Sequence, residues 1–189
     1  MRRFRYSPVL LLGLVALASG CSYNRLQRLD EQINQAQGQI KVQLQRRADL
    51  IGNLVNTVKG MTKQEDTVFL GIAAARAKLA GAAAGNDVQA MGEANAAMNA
   101  PLSRLLALTE NYPTLRSSDN FKQLQDELAG TENRVATART DYNTSVQQFN
   151  SAIRQFPTNI TAKMFGLGKP RPYFDLTTPG AANAPTVKF

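Results

Sequence analysis

The fold is decided by residues 121–156, which read FKQLQDELAGTENRVATARTDYNTSVQQFNSAIRQF. Large apolar side chains recur in this stretch every seven residues, at Phe121, Leu128, Val135, Tyr142, Phe149 and Phe156. Such a repeat places the side chains along one stripe of an α-helix, as in a coiled coil. It predicts one continuous helix with a single packing seam, capped by Ser117 or Ser118 and ended by Pro157.

Two earlier helices are predicted by the sequence before this stretch. Residues 23–61 contain no proline, and their apolar positions recur in steps of three and four. This spacing predicts a first helix about 58 Å long. Residues 62–65, TKQE, resemble a capping box that opens a second helix, which is expected to end by Gly85.

A third helix is predicted from Asn86 or Asp87, either of which can cap it, to Tyr112. Pro101 lies inside this helix and is expected to kink or restart it. No segment shows the period-two alternation of a strand. The sequence therefore predicts an all-α fold, an elongated antiparallel four-helix bundle whose first and fourth helices are long. In such a bundle the fourth helix ends near the start of the first.

The first 21 residues have the three parts of a secretory signal. Three arginines among the first five residues precede an apolar run at residues 9–18, and small residues then lead to Cys21. The run is shorter than the roughly 20 residues that cross a bilayer. Residues 1–20 are therefore predicted to be a cleaved signal peptide. The alternative is an uncleaved single-pass anchor in which Cys21 plays no part.

The motif that ends at Cys21 resembles the lipobox of bacterial lipoproteins, although Ala18 stands where that pattern prefers leucine. In such proteins the thiol carries diacylglyceryl, and the new amino terminus is acylated, commonly with palmitate. The resemblance implies an exported protein that is lipid-anchored to a bacterial membrane. Ser22, rather than aspartate, follows the cysteine, which implies the outer membrane facing the periplasm if the source is Gram-negative.

The composition argues against most enzyme classes. Histidine is absent and Cys21 is the only cysteine, so the usual zinc, haem and iron–sulfur ligand sets and the Ser-His-Asp triad cannot form. We expect no cofactor, no metal and no catalytic residue, and we predict that the protein is not an enzyme. After residue 21 there are 19 basic and 14 acidic residues. This excess suits an anionic surface and is too diffuse to predict nucleic-acid binding.

Five charged residues form a candidate polar network between the first and fourth helices. Arg46, Arg47 and Asp49 lie on the first helix, and Glu132 and Arg139 share a face of the fourth. The hypothesis is that these residues form inter-helix contacts that determine the register of the helices. The alternative is that they are ordinary solvated charges.

Basic and aromatic residues follow the fourth helix and suit a membrane interface. They are Lys163, Phe165, Lys169, Arg171, Tyr173 and Phe174. If the fourth helix ends near Cys21, these side chains lie near the membrane. The alternative is that the segment folds back and seals the end of the bundle. The predicted domain boundaries are 21–166 for the bundle and 167–189 for a basic and aromatic, then low-complexity, tail.

Several long motifs resemble those of the LemA family of bacterial membrane-anchored proteins. They are residues 42–59 (VQLQRRADLIGNLVNTVK), 103–113 (SRLLALTENYP), 124–134 (LQDELAGTENR) and 169–174 (KPRPYF). The resemblance implies an N-terminal membrane anchor and an antiparallel helical bundle, and it implies no particular activity. Gly52 departs from the family pattern, because relatives often have proline at that position, and Gln37 stands where they often have tryptophan.

Two kinds of function are compatible with these features. The first is a scaffold or adaptor, anchored by lipid and presenting its helices to a still unidentified envelope protein. The second is a protein that binds lipid or the envelope surface through its basic face. The sequence predicts no oligomeric state.

Overall fold

The computed structural model describes residues 8–60 and 66–174, with side chains from Ser22 onward. Every regular element in these residues is an α-helix, which confirms the predicted all-α class. In order they are α1 (Pro8–Lys59), α2 (Asp66–Ala84), α3 (Val88–Thr109), α4 (Pro113–Ser117), α5 (Asp119–Ala152) and α6 (Thr158–Met164). The short helices α4 and α6 are additions to the four that the sequence predicts.

Side-chain caps open two of the helices, in each case at one of the two residues predicted. Oδ1 of Asp87 accepts hydrogen bonds from the backbone N–H groups of Gln89, at 2.9 Å, and Ala90, at 3.3 Å. Oγ of Ser118 accepts from the N–H of Phe121 at 3.4 Å. These bonds satisfy donors that a helix start otherwise leaves unpaired. The capping box expected at residues 62–65 lies outside the described residues.

Of the two effects expected of Pro101, a kink or a restart of α3, the restart does not occur. The helix continues from Val88 to Thr109 with the proline inside it. A proline removes one backbone hydrogen bond. The neighbouring side chains of Met98 and Leu102 are both buried, and this packing holds the helix together across the missing bond.

The seam of α5 is confirmed for five of its six predicted positions. The side chains of Phe121, Leu128, Val135, Tyr142 and Phe149 are all buried. The prediction for Phe156 is wrong, because this side chain is 80% exposed. The helix ends at Ala152, where the N–H groups of Arg154 and Gln155 bond three residues back rather than four. These tighter turns take the chain off the helical path before Pro157 is reached.

The chain divides into two compact units. The described residues of unit 1 are 8–36 and Asp141–Tyr173, and those of unit 2 are 37–60, 66–140 and Phe174. The large buried apolar side chains of unit 1 belong to Leu26, Ile33, Tyr142, Val146, Phe149 and Ile153. Those of unit 2 include Ile40, Leu44, Ile51, Leu54, Phe69, Ile72, Leu79, Met91, Met98 and Phe121. Each unit therefore has its own apolar core.

Gly52 allows a close approach between two helices of unit 2. A Cβ atom at this position of α1 would lie 2.9 Å from Cζ of Arg76 on α2, which is closer than carbon atoms pack. The guanidinium of Arg76 therefore rests directly on the α1 backbone.

Candidate functional site

A buried arginine lies at the centre of the polar cluster in unit 2. Arg47 of α1 is only 2% exposed. Its Nη1 donates to Oδ1 of Asn95 at 3.1 Å, and its Nη2 donates to Oδ1 of Asn99 at 3.1 Å. Oε2 of Glu132, on α5, lies 3.9 Å from the same Nη2. A single side chain of α1 therefore contacts both α3 and α5.

Neutral amides provide most of the compensation for this buried charge. Burial lowers the pKa of Arg47 by desolvation, and the negative charge of Glu132 acts in the opposite direction. The side chain of Glu132 is 64% exposed, and an exposed carboxylate at that distance contributes little. Among the described residues, Nε of Arg47 has no hydrogen-bond partner. The guanidinium thus depends on the side-chain oxygens of Asn95 and Asn99.

Two other members of the predicted network have separate partners. Nη2 of Arg46 lies 3.6 Å from Oε2 of Glu127, and both side chains are partly exposed. Asp49 accepts a hydrogen bond from Nε2 of Gln45, one turn earlier on α1, at 3.0 Å. The structure therefore brings Arg47 and Glu132 together and leaves Arg46 and Asp49 in contacts at the surface.

Arg139, the fifth member, packs on an aromatic ring in unit 2. Its Cζ lies 4.7 Å from the ring centroid of Phe174, a geometry that stabilises a cation over a π-face. Burial lowers the pKa of Arg139. No ion pair joins Arg139 to Glu132 in the part of the chain that the structure describes. Phe174 is itself buried, so in this structure it is not part of an exposed, membrane-facing surface.

Sequence reasoning missed the two asparagines that bind Arg47. Asn95 and Asn99 lie one turn apart on α3, beside the buried Met91, Met98 and Leu102. Two amides four residues apart beside apolar residues could have predicted a buried polar contact, since buried polar groups need partners. The pattern could not have predicted that the partner is Arg47, which lies about fifty positions earlier in the chain.

A second polar cluster in unit 1 holds residues 167–173, here called the strap. The side chain of Asn150 on α5 pairs with the backbone of Arg171 in both directions. Its Oδ1 accepts from the Arg171 N–H at 2.8 Å, and its Nδ2 donates to the Arg171 carbonyl at 2.9 Å. The guanidinium of Arg171 donates to Oδ1 of Asp30 on α1 at 2.6 Å and 3.1 Å. The strap is therefore attached to both long helices.

Tyr142 adds a third attachment for the strap. Its hydroxyl donates to the carbonyl of Pro172 at 3.1 Å. Burial raises the pKa of Tyr142, and the positive charge of Arg171 acts in the opposite direction. The phenol therefore remains protonated at neutral pH and can keep donating this bond.

Five of the six residues predicted near the membrane are exposed in unit 1. They are Lys163, Phe165, Lys169, Arg171 and Tyr173. The ring of Phe165 also contacts that of Tyr23, with centroids 4.6 Å apart. These exposed side chains therefore belong to unit 1, which also contains the part of α1 directly after the predicted cleavage site.

Cys21 lies within α1, which continues through this position without a break. The described side chains begin at Ser22, so the predicted lipidation of the Cys21 thiol lies outside what the structure describes. The signal-peptide prediction concerns residues 1–20, of which residues 8–20 form part of the same helix.

Among the described residues, one helix is long and apolar enough to cross a bilayer by length and composition alone. This helix is α2, which contains eight alanines and five larger apolar residues. Arg76 and Lys78 lie near its middle, where each charge costs about 3 kcal/mol in a bilayer. Phe69, Ile72 and Leu79 are buried in unit 2. Four of the 19 residues of α2 are buried, so one apolar side of this helix packs into the core of unit 2.

No arrangement typical of catalysis is found in the described part of the chain. An open cleft of about 350 Å³ in unit 1 is lined by Arg25, Leu29, Gln147, Gln148, Ser151, Ala152 and Gln155. This lining contains no carboxylate to act as a general base for its serine. Within the described residues, no three of His, Cys, Asp and Glu are grouped to hold a metal ion.

Comparison with known proteins identifies the family. Residues 36–189 match the sequence profile described as the LemA family. Magnetosome protein MamQ 2 and Magnetosome protein MamQ 1 of Paramagnetospirillum magneticum are each 26% identical to this chain, covering 87% of it and 72% of their own length. Magnetosome protein MamQ of Magnetospirillum gryphiswaldense is 25% identical with the same coverage. The profile match spans most of the chain, and the chain therefore belongs to the LemA family.

Proposed function

We propose that this protein is a non-enzymatic, lipid-anchored envelope protein that acts as a scaffold or adaptor at a membrane. In this proposal Cys21 carries the lipid, and the long helices form an antiparallel four-helix bundle that a partner protein binds. If the source is Gram-negative, the membrane is the outer membrane and the bundle faces the periplasm.

The observation that carries the proposal is the absence of a linker between Cys21 and the fold. The helix α1 passes through Cys21 and continues to Lys59. Tyr23, two residues after the cysteine, already contacts Phe165, and Leu26 is fully buried. A lipid on Cys21 would thus be attached directly to the folded unit. Direct attachment suits a scaffold, because it restricts the orientation of the protein at the bilayer.

The use of the polar groups also favours a structural role over an enzymatic one. Arg47, Asn150 and Tyr142 are the principal buried polar side chains of the two clusters, and their hydrogen bonds are made within the protein. The relatives are named for the magnetosome and not for a reaction. A shared structural role at a membrane is consistent with both facts.

Lipidation is tested by the mass of the native protein. We expect the purified protein to lack residues 1–20 and its N-terminal peptide to carry diacylglyceryl and an amide-linked acyl chain on Cys21. Metabolic labelling with palmitate should mark the wild type. The variant Cys21→Ala should keep residues 1–20 and take up no label. An unmodified Cys21 with residues 1–20 still attached would refute the anchor.

The adaptor role is tested by site-specific photocrosslinking in intact cells. Val42 and Leu70 are large apolar side chains of unit 2 that are exposed, and a protein partner is expected to cover such positions. A photoreactive residue at either position should capture one defined protein. The same residue at the exposed Lys78 is the matched control. If Val42 and Leu70 capture only what Lys78 captures, neither position contacts a specific partner and the adaptor role loses its support.

A further inference from the structure

Exposed apolar side chains are concentrated near α6 in unit 1. The described residues contain seven large hydrophobic side chains that are exposed, and five of them lie between residues 156 and 173. Phe156, Ile160, Met164 and Phe165 lie on or directly beside α6, whereas Tyr173 lies beside an earlier part of α5, next to the Pro172 that bonds to Tyr142. Single exposed hydrophobic residues are normal, but a group of this size marks a surface that contacts something apolar.

The helix α6 has the reverse of the usual side-chain arrangement. Its buried residues are Thr158, Thr161 and Ala162, which are small. At 100° per residue these three share one side of the helix. The opposite side carries Ile160, Lys163 and Met164, all of them exposed, with Met164 at 75%. A short helix that turns its largest apolar side chains outward cannot be explained by packing within unit 1.

The end of α6 turns so that Phe165 remains at the surface. Gly166 has a φ of 74°, the left-handed conformation in which glycine is favoured. The N–H of Leu167 bonds back to the carbonyl of Ala162 at 2.8 Å, as in a Schellman motif. The ring of Phe165 lies against Tyr23. The apolar surface therefore extends to the part of α1 that follows Cys21.

The segment that carries this surface contains basic residues and no acidic ones. Residues 142–174 contain no aspartate or glutamate, and they contain Arg154, Lys163, Lys169 and Arg171. The first three are exposed, and Arg171 is partly exposed while bound to Asp30. Apolar and aromatic side chains surrounded by basic residues form the pattern that binds the interface of an anionic membrane.

We infer that the surface formed by Phe156, Ile160, Met164 and Phe165 inserts into the interface of an anionic phospholipid bilayer. It acts as a second membrane contact beside the acyl chains, with Lys163 and Lys169 at the level of the phosphates. The inference rests on the proposed lipid anchor, because the anchor brings this surface to the bilayer. The inference assigns the membrane contact to α6 and the residues on either side of it. The basic and aromatic composition of the segment did not by itself give this location.

The absence of tryptophan from the chain allows a clean depth measurement. The native lipoprotein carrying Met164→Trp is reconstituted into vesicles that contain phosphatidylglycerol and lipids brominated on the acyl chains. Bromine quenches tryptophan fluorescence only at short range. Val42→Trp is the matched control, because Val42 is also exposed and apolar but belongs to unit 2. We expect Met164→Trp to be quenched about threefold more strongly than Val42→Trp.

A second set of variants tests whether the positive charges of Lys163 and Lys169 attract this surface to anionic lipid. In the Met164→Trp background, Lys163→Glu with Lys169→Glu should reduce quenching to the level seen in vesicles of phosphatidylcholine alone. The control pair is Lys78→Glu with Arg104→Glu, which changes the charge equally at exposed positions of unit 2. Raising the salt should also weaken quenching, since the Debye length falls from about 10 Å at 0.1 M to about 3 Å at 1 M.

The possible outcomes separate this inference from the proposed function. Equal quenching of Met164→Trp and Val42→Trp, in protein whose mass shows the acylated Cys21, overturns the inference and leaves the anchor intact. An unmodified Cys21 refutes the anchor, whereas stronger quenching of Met164→Trp still supports the surface. A blue shift of Met164→Trp that depends on protein concentration without vesicles would mean that a second copy occupies the surface, which also overturns the inference.

Discussion

Replacing Arg47 by alanine is expected to lower the free energy of unfolding by about 3 kcal/mol. The change removes two hydrogen bonds and leaves the buried amide oxygen of Asn95 without a partner. It also empties the space of a long side chain that is almost completely buried. The measurement is urea denaturation followed by far-ultraviolet circular dichroism, with wild type and variant in the same detergent.

Arg46→Ala is the matched control, because it removes the same side chain one position earlier. Its ion pair with Glu127 is partly exposed, so we expect a loss within about 0.5 kcal/mol. Arg47→Met keeps most of the volume of the arginine side chain. It should recover about half of the unfolding free energy that Arg47→Ala loses, because Arg47 stabilises the fold both by packing and by its hydrogen bonds. If Arg47→Ala were as mild as Arg46→Ala, the cluster would not be buried in solution.

Double-mutant cycles then identify which partner of Arg47 matters. The coupling between Arg47 and Asn95 should be about 1.5 kcal/mol, because the bond is buried and involves a charged donor. The coupling between Arg47 and Glu132 should stay below about 1 kcal/mol, because the carboxylate is exposed. This order would make α3, rather than α5, the main partner of Arg47. A larger coupling to Glu132 would instead favour the predicted network between the first and fourth helices.

Replacing Asn150 by alanine is expected to release the strap from α5. The variant loses both bonds to the backbone of Arg171. At about 1 kcal/mol for each bond, amide exchange at Arg171 should become roughly 30-fold faster. Hydrogen exchange followed by mass spectrometry would measure this increase. Global stability should fall less, because Tyr142 and Asp30 still hold the strap.

Two further variants show whether the pair of hydrogen bonds between Asn150 and Arg171 is what slows exchange of the Arg171 amide. Asn150→Asp keeps the acceptor for the Arg171 N–H and loses the donor, so an intermediate exchange rate is expected. Gln148→Ala removes an exposed amide from the same helix and should leave exchange at Arg171 unchanged. Equal acceleration in Gln148→Ala and Asn150→Ala would mean that the strap is held by general packing of α5.

The heptad repeat shows how far a local pattern reaches. Phe121 to Phe149 are buried as predicted because each lies on the same stripe of one continuous helix. Phe156 continues the repeat in sequence, yet its side chain is exposed. The spacing assumes an unbroken helix, and the helix ends at Ala152. A repeat predicts burial only as far as the backbone continues to follow it.

The sequence by itself determined the helical class, five positions of the α5 seam and the resemblance to the LemA family, and it narrowed each of two helix caps to a pair of adjacent residues. These properties depend on neighbours within a few turns, and the order of residues specifies such neighbours completely. Only the tertiary structure decided that Asn95 binds Arg47, and that Phe174 is buried whereas Phe156 is exposed. Those outcomes depend on groups far apart in the chain, whose distances are set when the helices pack.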